Sequence, residues 1–345
     1  MSIETAELRP GYRIARLIKG GWQLAGGHGA IDRAAARADM TAYVDAGFTT
    51  FDCADIYTGV EDLIGQFRGS LPPETLARLK VHTKFVPDLH VLPTLSREDV
   101  TRVIDRSLQR LRMQRLDLVQ FCWWDYAVAR DVQAALWLKD LQAAGKIDLI
   151  GATNFDAAHT AALFAAGVQV ATMQVQYSLL DDRPARGMSA LCAQHGMKLL
   201  CYGTVAGGFL GDRWLGQPEP AEPLENRSLT KYKLIIEDCG GWDWFQALLR
   251  VLAGIGRKHG CGIGSVASRY VLGLPHVAAA IVGVRSRAHL PEHRNLFAFA
   301  LDAVDEAAIA AVLAQRLALP GDVYTLERDR TGRHGRIMKY NLGNA

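Results

Sequence analysis

The sequence contains no long uninterrupted hydrophobic segment. No apolar run reaches the ~18 residues that a transmembrane helix requires. The N-terminal stretch MSIETAELRPGYRIARL also lacks a basic start followed by an apolar core. A membrane span and a secretory signal are therefore not expected, and a cytoplasmic location is.

Paired cysteines and clustered charge are missing as well. The six cysteines are scattered without a C-x-x-C pair, which in a chain of this length is typical of reduced thiols rather than of a disulfide framework. No spacing of His, Cys and Asp suggests a metal site. The net charge is only +3 and no block of Lys and Arg stands out, so neither nucleic acid nor a membrane surface is indicated as a partner.

Eight short apolar runs alternate with helical patterns along the chain. Most of these runs are nearly continuous in Val, Ile and Leu, as in parallel strands that are buried on both faces. The alternation predicts an α/β fold, a closed (β/α)8 TIM barrel. An open doubly wound sheet is less favoured because no G-x-G-x-x-G follows the first strand. The eight candidate strands are ARLIKGGW, FTTFD, KVHTKF, LDLVQF, IDLIGAT, QVATMQV, MKLLCYG and VAAAIVG.

Helix signals support the predicted barrel, and two regions depart from the alternation of strands and helices. Ser96 with Asp99 three residues later forms a variant of the capping box. A long segment from Gly203 to Trp242, rich in Gly, Pro and charge, predicts a lid or binding loop after the seventh strand. A final helix is expected near Asp302 to Ala314, and the tail from Leu319 to Ala345 is expected to lie over the catalytic face. The chain is predicted to be one domain, 1–345, with a barrel core at about 13–300 and the final helix and tail at 301–345.

Three residues with complementary chemistry stand at predicted strand ends. Asp52 ends the second strand and is followed by Tyr57, and Lys84 ends the third. Singly, they read as a turn former, a rim tyrosine and a solvated lysine. Together they should converge on one mouth, because active sites of such barrels form at the carboxyl ends of the strands.

The expected chemistry of this group is proton donation to a carbonyl oxygen. Free tyrosine, with a pKa of about 10, is a weak acid at neutral pH. A nearby Lys84 ammonium should lower the pKa of Tyr57, and Asp52 should keep Lys84 charged and in place. Tyr57 would then act as a general acid while a hydride donor reduces a ketone or aldehyde.

Several motifs in order resemble the aldo-keto reductase family. FDCADIYTGVEDLIG resembles the family signature through Asp52, Tyr57, Gly59, Glu61 and Gly65. GGW, TKF with Lys84, GKIDLIGATNF, QVQYS, CYGTVAGGFLG and IVGVRS resemble the family's other strand motifs. The resemblance covers about residues 13–300, and independent motifs at matching spacing make it specific.

The resemblance implies a nicotinamide cofactor and a small-molecule carbonyl substrate, and nothing in the sequence requires more than a monomer. Thr153, Asn154 and Gln174 would hold the carboxamide, and Tyr202 would stack on the nicotinamide ring. The segment Gly203–Gly211 would wrap the pyrophosphate, where small residues let backbone N–H groups approach. The residues expected at the cofactor are Gly21, Trp22, Asp52, Thr153, Asn154, Gln174, Tyr202, Gly203, Thr204, Ala206, Gly207, Phe209, Leu210, Arg285, His289 and His293.

The segment after the eighth strand would contact the adenosine end of the cofactor. Arg285 and His289 are candidates for a 2′-phosphate, and His293 occupies the position of an adenine-facing asparagine in the family. Arginine suits a phosphate because its planar fork pairs oxygens bidentately. NADPH is therefore expected in preference to NADH.

Cys122 departs from the family pattern, which has a catalytic histidine at the end of the fourth strand. A thiol is a weak donor and is smaller than an imidazole, so it leaves room for a water or for a bulkier substrate such as an alicyclic ketone. Cys122 is either a tolerated replacement, a change that retunes substrate choice, or a sign of a regulatory barrel that binds nucleotide with little catalysis. A nucleophilic Cys122 is less favoured because no partner is visible. A Schiff-base aldolase using Lys84 leaves Tyr57 unexplained.

Aromatic residues and one histidine near the mouth are candidates for contact with the substrate. Trp123 and Trp124 follow Cys122, and His28 follows the first strand; with Tyr57, these are the expected substrate contacts. His82 is expected to be a core histidine. Trp214, Trp242 and Trp244 in the long segment, with Tyr324 in the tail, are expected to close over the substrate.

Overall fold

The computed structural model describes residues 3–26, 29, 31–284 and 286–342 of the chain. Strands and helices alternate through most of these residues. The strands are β1 Thr5–Arg9, β2 Tyr12–Ala15, β3 Leu17–Gly20, β4 Thr50–Asp52, β5 Lys80–Phe85, β6 Leu116–Phe121, β7 Ile147–Thr153, β8 Thr172–Gln176, β9 Lys198–Tyr202 and β10 Val277–Gly283. The α-helices are α1 Arg33–Asp45, α2 Val60–Arg68, α3 Pro73–Leu76, α4 Arg97–Leu111, α5 Asp131–Ala143, α6 Ala157–Ala165, α7 Gly187–His195, α8 Arg227–Cys239, α9 Gly241–His259, α10 Ile263–Gly273, α11 Leu290–Asn295, α12 Ala303–Leu313 and α13 Thr325–Arg328. Short 3-10 turns occupy Trp22–Leu24, Leu89–Thr94, Arg183–Ala185, Ala206–Gly208, Asp212–Trp214, Arg287–His289 and Gly335–Ile337.

Eight parallel strands, β3 to β10, close into a barrel in the order β10-β3-β4-β5-β6-β7-β8-β9. This confirms the predicted (β/α)8 barrel, with each of the eight apolar runs supplying one strand. The strands are almost entirely buried because side chains on one face fill the barrel and those on the other pack under the helices. Within the described residues, no helix has the length and apolar character that crossing a bilayer demands.

An antiparallel hairpin, β1–β2, precedes the barrel and was not predicted. Leu8, Tyr12 and Ile14 pack in one cluster with barrel residues such as Leu118 and Leu200. The Tyr12 hydroxyl lies 3.4 Å from Nε2 of His82, which is fully buried. His82 is therefore a core histidine, as predicted, and the hairpin closes off part of the barrel interior.

The predicted capping box is present in the structure, and two glycines end helices. Ser96 and Asp99 form a reciprocal capping box at the start of α4. Gly47 and Gly145, which follow α1 and α5, have φ values of +96° and +82°. This left-handed conformation ends a helix at little cost only where a Cβ is missing.

The segment after β9 is largely ordered by helices rather than being an open lid. It contains α8, and α9 begins at Gly241. Trp242 and Trp244 are about nine-tenths buried in a second hydrophobic cluster, and the Trp244 indole donates to the Val312 carbonyl at 3.1 Å. Trp214 packs on Phe209 with ring centroids 4.8 Å apart. These tryptophans therefore pack α9 against α12 and against the segment after β9.

The C-terminal tail crosses the carboxyl end of the barrel, as predicted. The Arg328 guanidinium donates to the Trp123 carbonyl at 3.1 Å and to the Asn154 carbonyl at 2.6 Å. Trp123 and Asn154 follow β6 and β7, so the tail covers this side of the mouth. Tyr324 is also part of this cover and is 5% exposed.

Candidate active site

A buried ion pair joins the ends of β4 and β5. The Lys84 ammonium donates to Oδ2 of Asp52 at 2.6 Å and to the Cys53 carbonyl at 2.8 Å, and both charged side chains are 5% exposed. Although burial alone would lower the pKa of Lys84, the Asp52 carboxylate raises it above its ordinary value. Lys84 is therefore held as a cation inside the mouth.

Two glutamine side chains donate hydrogen bonds to the other carboxylate oxygen of Asp52. Its Oδ1 accepts from Nε2 of Gln120 at 2.9 Å and from Nε2 of Gln174 at 2.7 Å. Gln174 was expected at a carboxamide, but its N–H group is used by Asp52. Gln120 was missed, although a glutamine in the largely apolar run LDLVQF is a signal for an inward-facing polar group. Both amides fix the carboxylate and leave its other oxygen for Lys84.

Tyr57 lies against this ion pair. The Lys84 Nζ atom is 5.2 Å from the centroid of the Tyr57 ring, and the Trp22 ring packs on the Tyr57 ring with centroids 5.1 Å apart. Burial raises the pKa of Tyr57 to about 12, although the Lys84 ammonium opposes the rise. The predicted lowering of this pKa is therefore wrong in its net direction, because loss of solvent outweighs the ammonium. Tyr57 is a protonated phenol at neutral pH.

Cys122 directly follows β6 and is 3% exposed. Its backbone N–H donates to the Phe85 carbonyl at 3.0 Å, which holds the residue at the strand end. Burial raises the pKa of its thiol to about 12. A thiol that stays protonated is a poor nucleophile, so nucleophilic catalysis by Cys122 is not favoured.

The two tryptophans after Cys122 are packed away. Trp123 is fully buried, and its indole N–H donates to the Asp125 and Val128 carbonyls at 3.0 and 3.1 Å. Trp124 is 8% exposed and meets Tyr340 of the tail edge to face at 5.3 Å. The Trp123 ring belongs to the hydrophobic core cluster and packs on Phe121 with ring centroids 5.8 Å apart.

Side chains expected around a nicotinamide do meet at one side of the mouth. The Tyr202 hydroxyl donates to Oδ1 of Asn154 at 2.8 Å. Asn154 has a φ of +61°, a left-handed conformation that asparagine tolerates better than most residues. Thr153 ends β7 and is buried beside it. An aromatic ring, an amide and a hydroxyl therefore lie together at the ends of β7 and β9.

The segment expected at a pyrophosphate is tightly folded. The N–H groups of Ala206, Gly208, Phe209 and Leu210 donate to carbonyls within the same segment. Phe209, Leu210 and Ala206 place their side chains in the second hydrophobic cluster, and Thr204 Oγ1 lies 3.1 Å from Ser268 Oγ. Several of the N–H groups expected to bind phosphate are thus already used.

Close packing explains two of the glycines predicted at the cofactor. A Cβ on Gly21 would lie 2.9 Å from the Asp52 carbonyl oxygen, and one on Gly203 would lie 2.4 Å from the Tyr232 hydroxyl. Gly207 has a φ of +64°. These positions hold the first strand end and the segment after β9 close to their neighbours.

The adenosine end is only partly defined. Arg285 and the expected substrate contact His28 lie outside the described residues. His289 is exposed and lies 3.9 Å from Glu292. His293 is turned inward, with Nδ1 2.8 Å from the Tyr43 hydroxyl, and burial lowers its pKa to about 4. His293 is therefore neutral at pH 7.

A buried charge network next to Tyr202 was not predicted. Arg183 binds Asp181 through Nε and Nη2 at 2.9 and 2.7 Å and reaches Glu327 of the tail at 3.1 Å. Glu327 also lies 3.7 Å from Lys231 of α8. The Lys231 ammonium is 5.1 Å from the Tyr202 ring centroid. This network connects the tail and α8 to the mouth. No local sequence pattern predicts it.

Asp55, behind the Tyr57 loop, makes the stability of the chain depend on pH. Burial and the Glu61 carboxylate raise the pKa of Asp55 from 3.8 to about 8, and its Oδ1 has no hydrogen-bond partner among the described residues. The folded chain therefore binds an extra proton between these values, so the free energy of unfolding falls as pH rises through this window.

Asp55→Asn should remove this decline. Relative to wild type, the variant is expected to gain at least about 1.4 kcal/mol, the equivalent of one pKa unit, when urea unfolding at about pH 8 is compared with about pH 5. Asp62→Asn is the control, since Asp62 is 52% exposed and should leave the wild-type slope in place. An unchanged slope in Asp55→Asn would contradict the assignment.

Comparisons with known proteins agree with this geometry. A model of the Aldo/keto reductase family matches residues 16–314. Flagellar radial spoke protein 5 of Chlamydomonas reinhardtii is 32% identical over 174 residues, which are 45% of this chain and 33% of that protein. The NADH-specific methylglyoxal reductase of Escherichia coli is 27% identical over 220 residues, 57% of this chain and 65% of that protein. The chain thus spans less than two thirds of the length of both relatives.

A solved structure has the same fold. The glycerol dehydrogenase AKR11B4 from Gluconobacter oxydans superposes with a TM-score of 0.77 at 20% identity and covers 93% of this chain and 98% of that one. At this identity the likeness concerns the fold.

Proposed function

This chain belongs to the aldo/keto reductase family, and from that premise we propose that it is an NAD(P)H-dependent oxidoreductase that reduces a ketone or aldehyde to an alcohol. The observation that carries the proposal is the buried Asp52–Lys84 pair beside the Tyr57 ring. A structural ion pair needs no phenol beside it, whereas a carbonyl reductase needs a proton donor held by a fixed cation.

The residues at the mouth fit a nicotinamide by their chemistry. Asn154 and Gln174 carry amide groups suited to a carboxamide, and Tyr202 offers a half-buried ring beside Asn154. Gln120 Oε1 is buried without a partner among the described residues, so the polar lining is not saturated by the protein alone. When bound, a reduced nicotinamide supplies a hydride to the carbonyl carbon.

Tyr57 completes the reduction in this proposal. As negative charge develops on the carbonyl oxygen, the Tyr57 hydroxyl donates its proton, which is favourable because an alkoxide is a much stronger base than a phenolate. Lys84 stabilises the phenolate that remains. Asp52, which is held by the amides of Gln120 and Gln174, keeps Lys84 in position. In the reverse direction, the phenolate accepts the proton of an alcohol.

NADPH is the proposed cofactor and NADH the alternative. Basic side chains after β10, namely Arg285, Arg287 and His289, support a 2′-phosphate, although the name of the Escherichia coli relative specifies NADH. The comparison of kcat/KM with NADPH and with NADH, at one carbonyl concentration, tests this choice. A ratio in favour of NADH would overturn it.

The activity is tested by mixing the protein with NADPH and a panel of carbonyls that includes bulky alicyclic ketones. The reverse reaction is tested with NADP+ and the corresponding alcohols. We expect at least one carbonyl to be reduced, as measured by the loss of NADPH absorbance. Fluorescence quenching by NADPH without turnover across the panel would instead support a regulatory nucleotide-binding barrel. Borohydride trapping of a carbonyl on Lys84 would favour the aldolase alternative.

Cys122→Ala should reduce kcat/KM by less than about tenfold, which is smaller than the loss expected for a general acid. The thiol is neutral and a weak donor, so its role in this proposal is to shape the pocket, with space for a bulky alicyclic ketone. Steady-state kinetics on the best carbonyl measure the effect. A loss as large as that of a Tyr57 variant would mean that the thiol takes part directly.

A further inference from the structure

Helix α8 places an arginine above the aromatic pair that contains the proposed proton donor. Arg227 is the first residue of α8, after the cap Asn226. Its guanidinium carbon lies 5.9 Å from the Trp22 ring centroid, and Trp22 packs on Tyr57 at 5.1 Å between centroids. Arg227 is thus two ring contacts away from the proposed chemistry.

No acidic side chain among the described residues balances the charge of Arg227. The side chain is half-buried, and its pKa is lowered by burial alone, with no contribution from an acidic group. No carboxylate within the described part of the chain lies within ion-pair distance of it. A half-buried guanidinium loses hydration, and an anion restores the lost interactions most effectively.

Neighbouring cations differ from Arg227 in this respect. Lys231, one turn later on α8, lies 3.7 Å from Glu327. Lys233 pairs with Glu237 at 2.7 Å, and Lys84 pairs with Asp52. Unlike these three lysines, Arg227 has no carboxylate partner among the described residues, and its guanidinium lies over the ring that contacts Tyr57.

We propose that Arg227 is an anion subsite for the substrate, which would be a carbonyl compound carrying a carboxylate or phosphate some distance from the carbonyl group. This inference rests on the proposed reductase function. The anion pairs with the guanidinium while the carbonyl oxygen reaches Tyr57, so Trp22 forms the wall between the two ends. A cofactor phosphate is the competing ligand, because a Cβ on Gly207, in the segment expected at the pyrophosphate, would lie 3.4 Å from the carbonyl oxygen of Ser228, the residue after Arg227.

A matched pair of aldehydes tests the subsite. In 4-carboxybenzaldehyde the carboxylate stands across the ring from the carbonyl, and 4-methylbenzaldehyde has nearly the same shape without the charge. Arg227→Gln should lower kcat/KM for the charged aldehyde by about tenfold to a hundredfold, the range for a lost charge-assisted hydrogen bond. The neutral aldehyde should change by less than about threefold, and the dissociation constant of NADPH should stay the same.

Two further variants make the result specific. Arg227→Lys retains the charge and should recover part of the preference for the charged aldehyde. Arg250→Gln removes one exposed positive charge from α9 and should leave both aldehydes unaffected, which controls for net charge. Equal losses with both aldehydes together with weaker NADPH binding would assign Arg227 to a cofactor phosphate, and no change with either would exclude an anion contact; both results overturn the proposal.

Failure of the reductase function is separated from failure of this subsite by a binding measurement. The affinity of 4-carboxybenzaldehyde for the NADP+-loaded protein, measured by calorimetry, requires no turnover. Binding at least about tenfold weaker in Arg227→Gln than in wild type supports the subsite even if no aldehyde is reduced. Equal binding in the two proteins overturns it, whatever the turnover experiment shows.

Discussion

Tyr57→Phe is expected to lower kcat by about a hundredfold to ten-thousandfold, the range that general acid catalysis contributes. Phenylalanine keeps the ring that packs on Trp22 and faces Lys84, but it has no proton to give to the developing alkoxide. NADPH binding should remain near the wild-type value, because the substitution removes only a hydroxyl. Steady-state kinetics and cofactor fluorescence titration measure the two quantities separately.

Tyr270→Phe is the matched control for this variant. Tyr270 lies on α10, between the hydrophobic clusters and away from the mouth, so the same loss of a hydroxyl should leave kcat within about twofold, as for a substitution outside the site. Turnover of Tyr57→Phe equal to that of wild type would remove the general-acid assignment. A parallel loss in Tyr270→Phe would point to a general effect on folding.

Arg183→Met is expected to reduce the free energy of unfolding by about 3–5 kcal/mol, the cost of leaving buried charges without their partner. Arg183 is 1% exposed and serves both Asp181 and Glu327, which are equally buried. Methionine fills part of the volume but cannot neutralise either carboxylate. Urea unfolding monitored by tryptophan fluorescence measures the change.

Arg97→Met supplies the comparison for an exposed ion pair. Arg97 is 57% exposed and binds Asp140 at 2.9 Å, so its loss should cost no more than about 1 kcal/mol.

The buried network also makes stability depend on pH. Although burial alone would raise the pKa of Glu327, Lys231 and Arg183 lower it to about 2. Wild-type stability should therefore fall as pH drops from about 4.5 towards 2, and less steeply in Arg183→Met. If Arg183→Met and Arg97→Met lost similar free energies of unfolding, burial would not determine the cost of breaking these ion pairs.

Much of the barrel was predictable because its strands are buried on both faces. That burial requires continuous apolar runs, which stand out against the helical pattern between them. The hairpin β1–β2 escaped prediction because its strands, TAELR and YRIA, are short and half polar. They are stabilised by packing under the barrel, and such packing leaves little trace in five residues.

The proposed catalytic group was predictable for a related reason. Asp52 and Lys84 end adjacent strands, so the barrel topology alone brings them to one edge. The second oxygen of Asp52 was not predictable, because it is held by Gln120 and Gln174 from strands that are not neighbours of β4. That contact depends on which residues of distant strands face inward at the same level.

The sequence by itself determined the barrel, the placement of Asp52, Tyr57 and Lys84 at its mouth, and the presence of a cysteine where the family has a histidine. These features follow from strand periodicity and from motifs that are local in the chain. Only the tertiary structure decided that Trp123 is buried in the core, that burial outweighs Lys84 in setting the pKa of Tyr57, and that Arg227 lies over Trp22 with no carboxylate partner among the described residues. Solvent exclusion and charge balance depend on groups far apart in the chain, so they arise only once those groups are packed together.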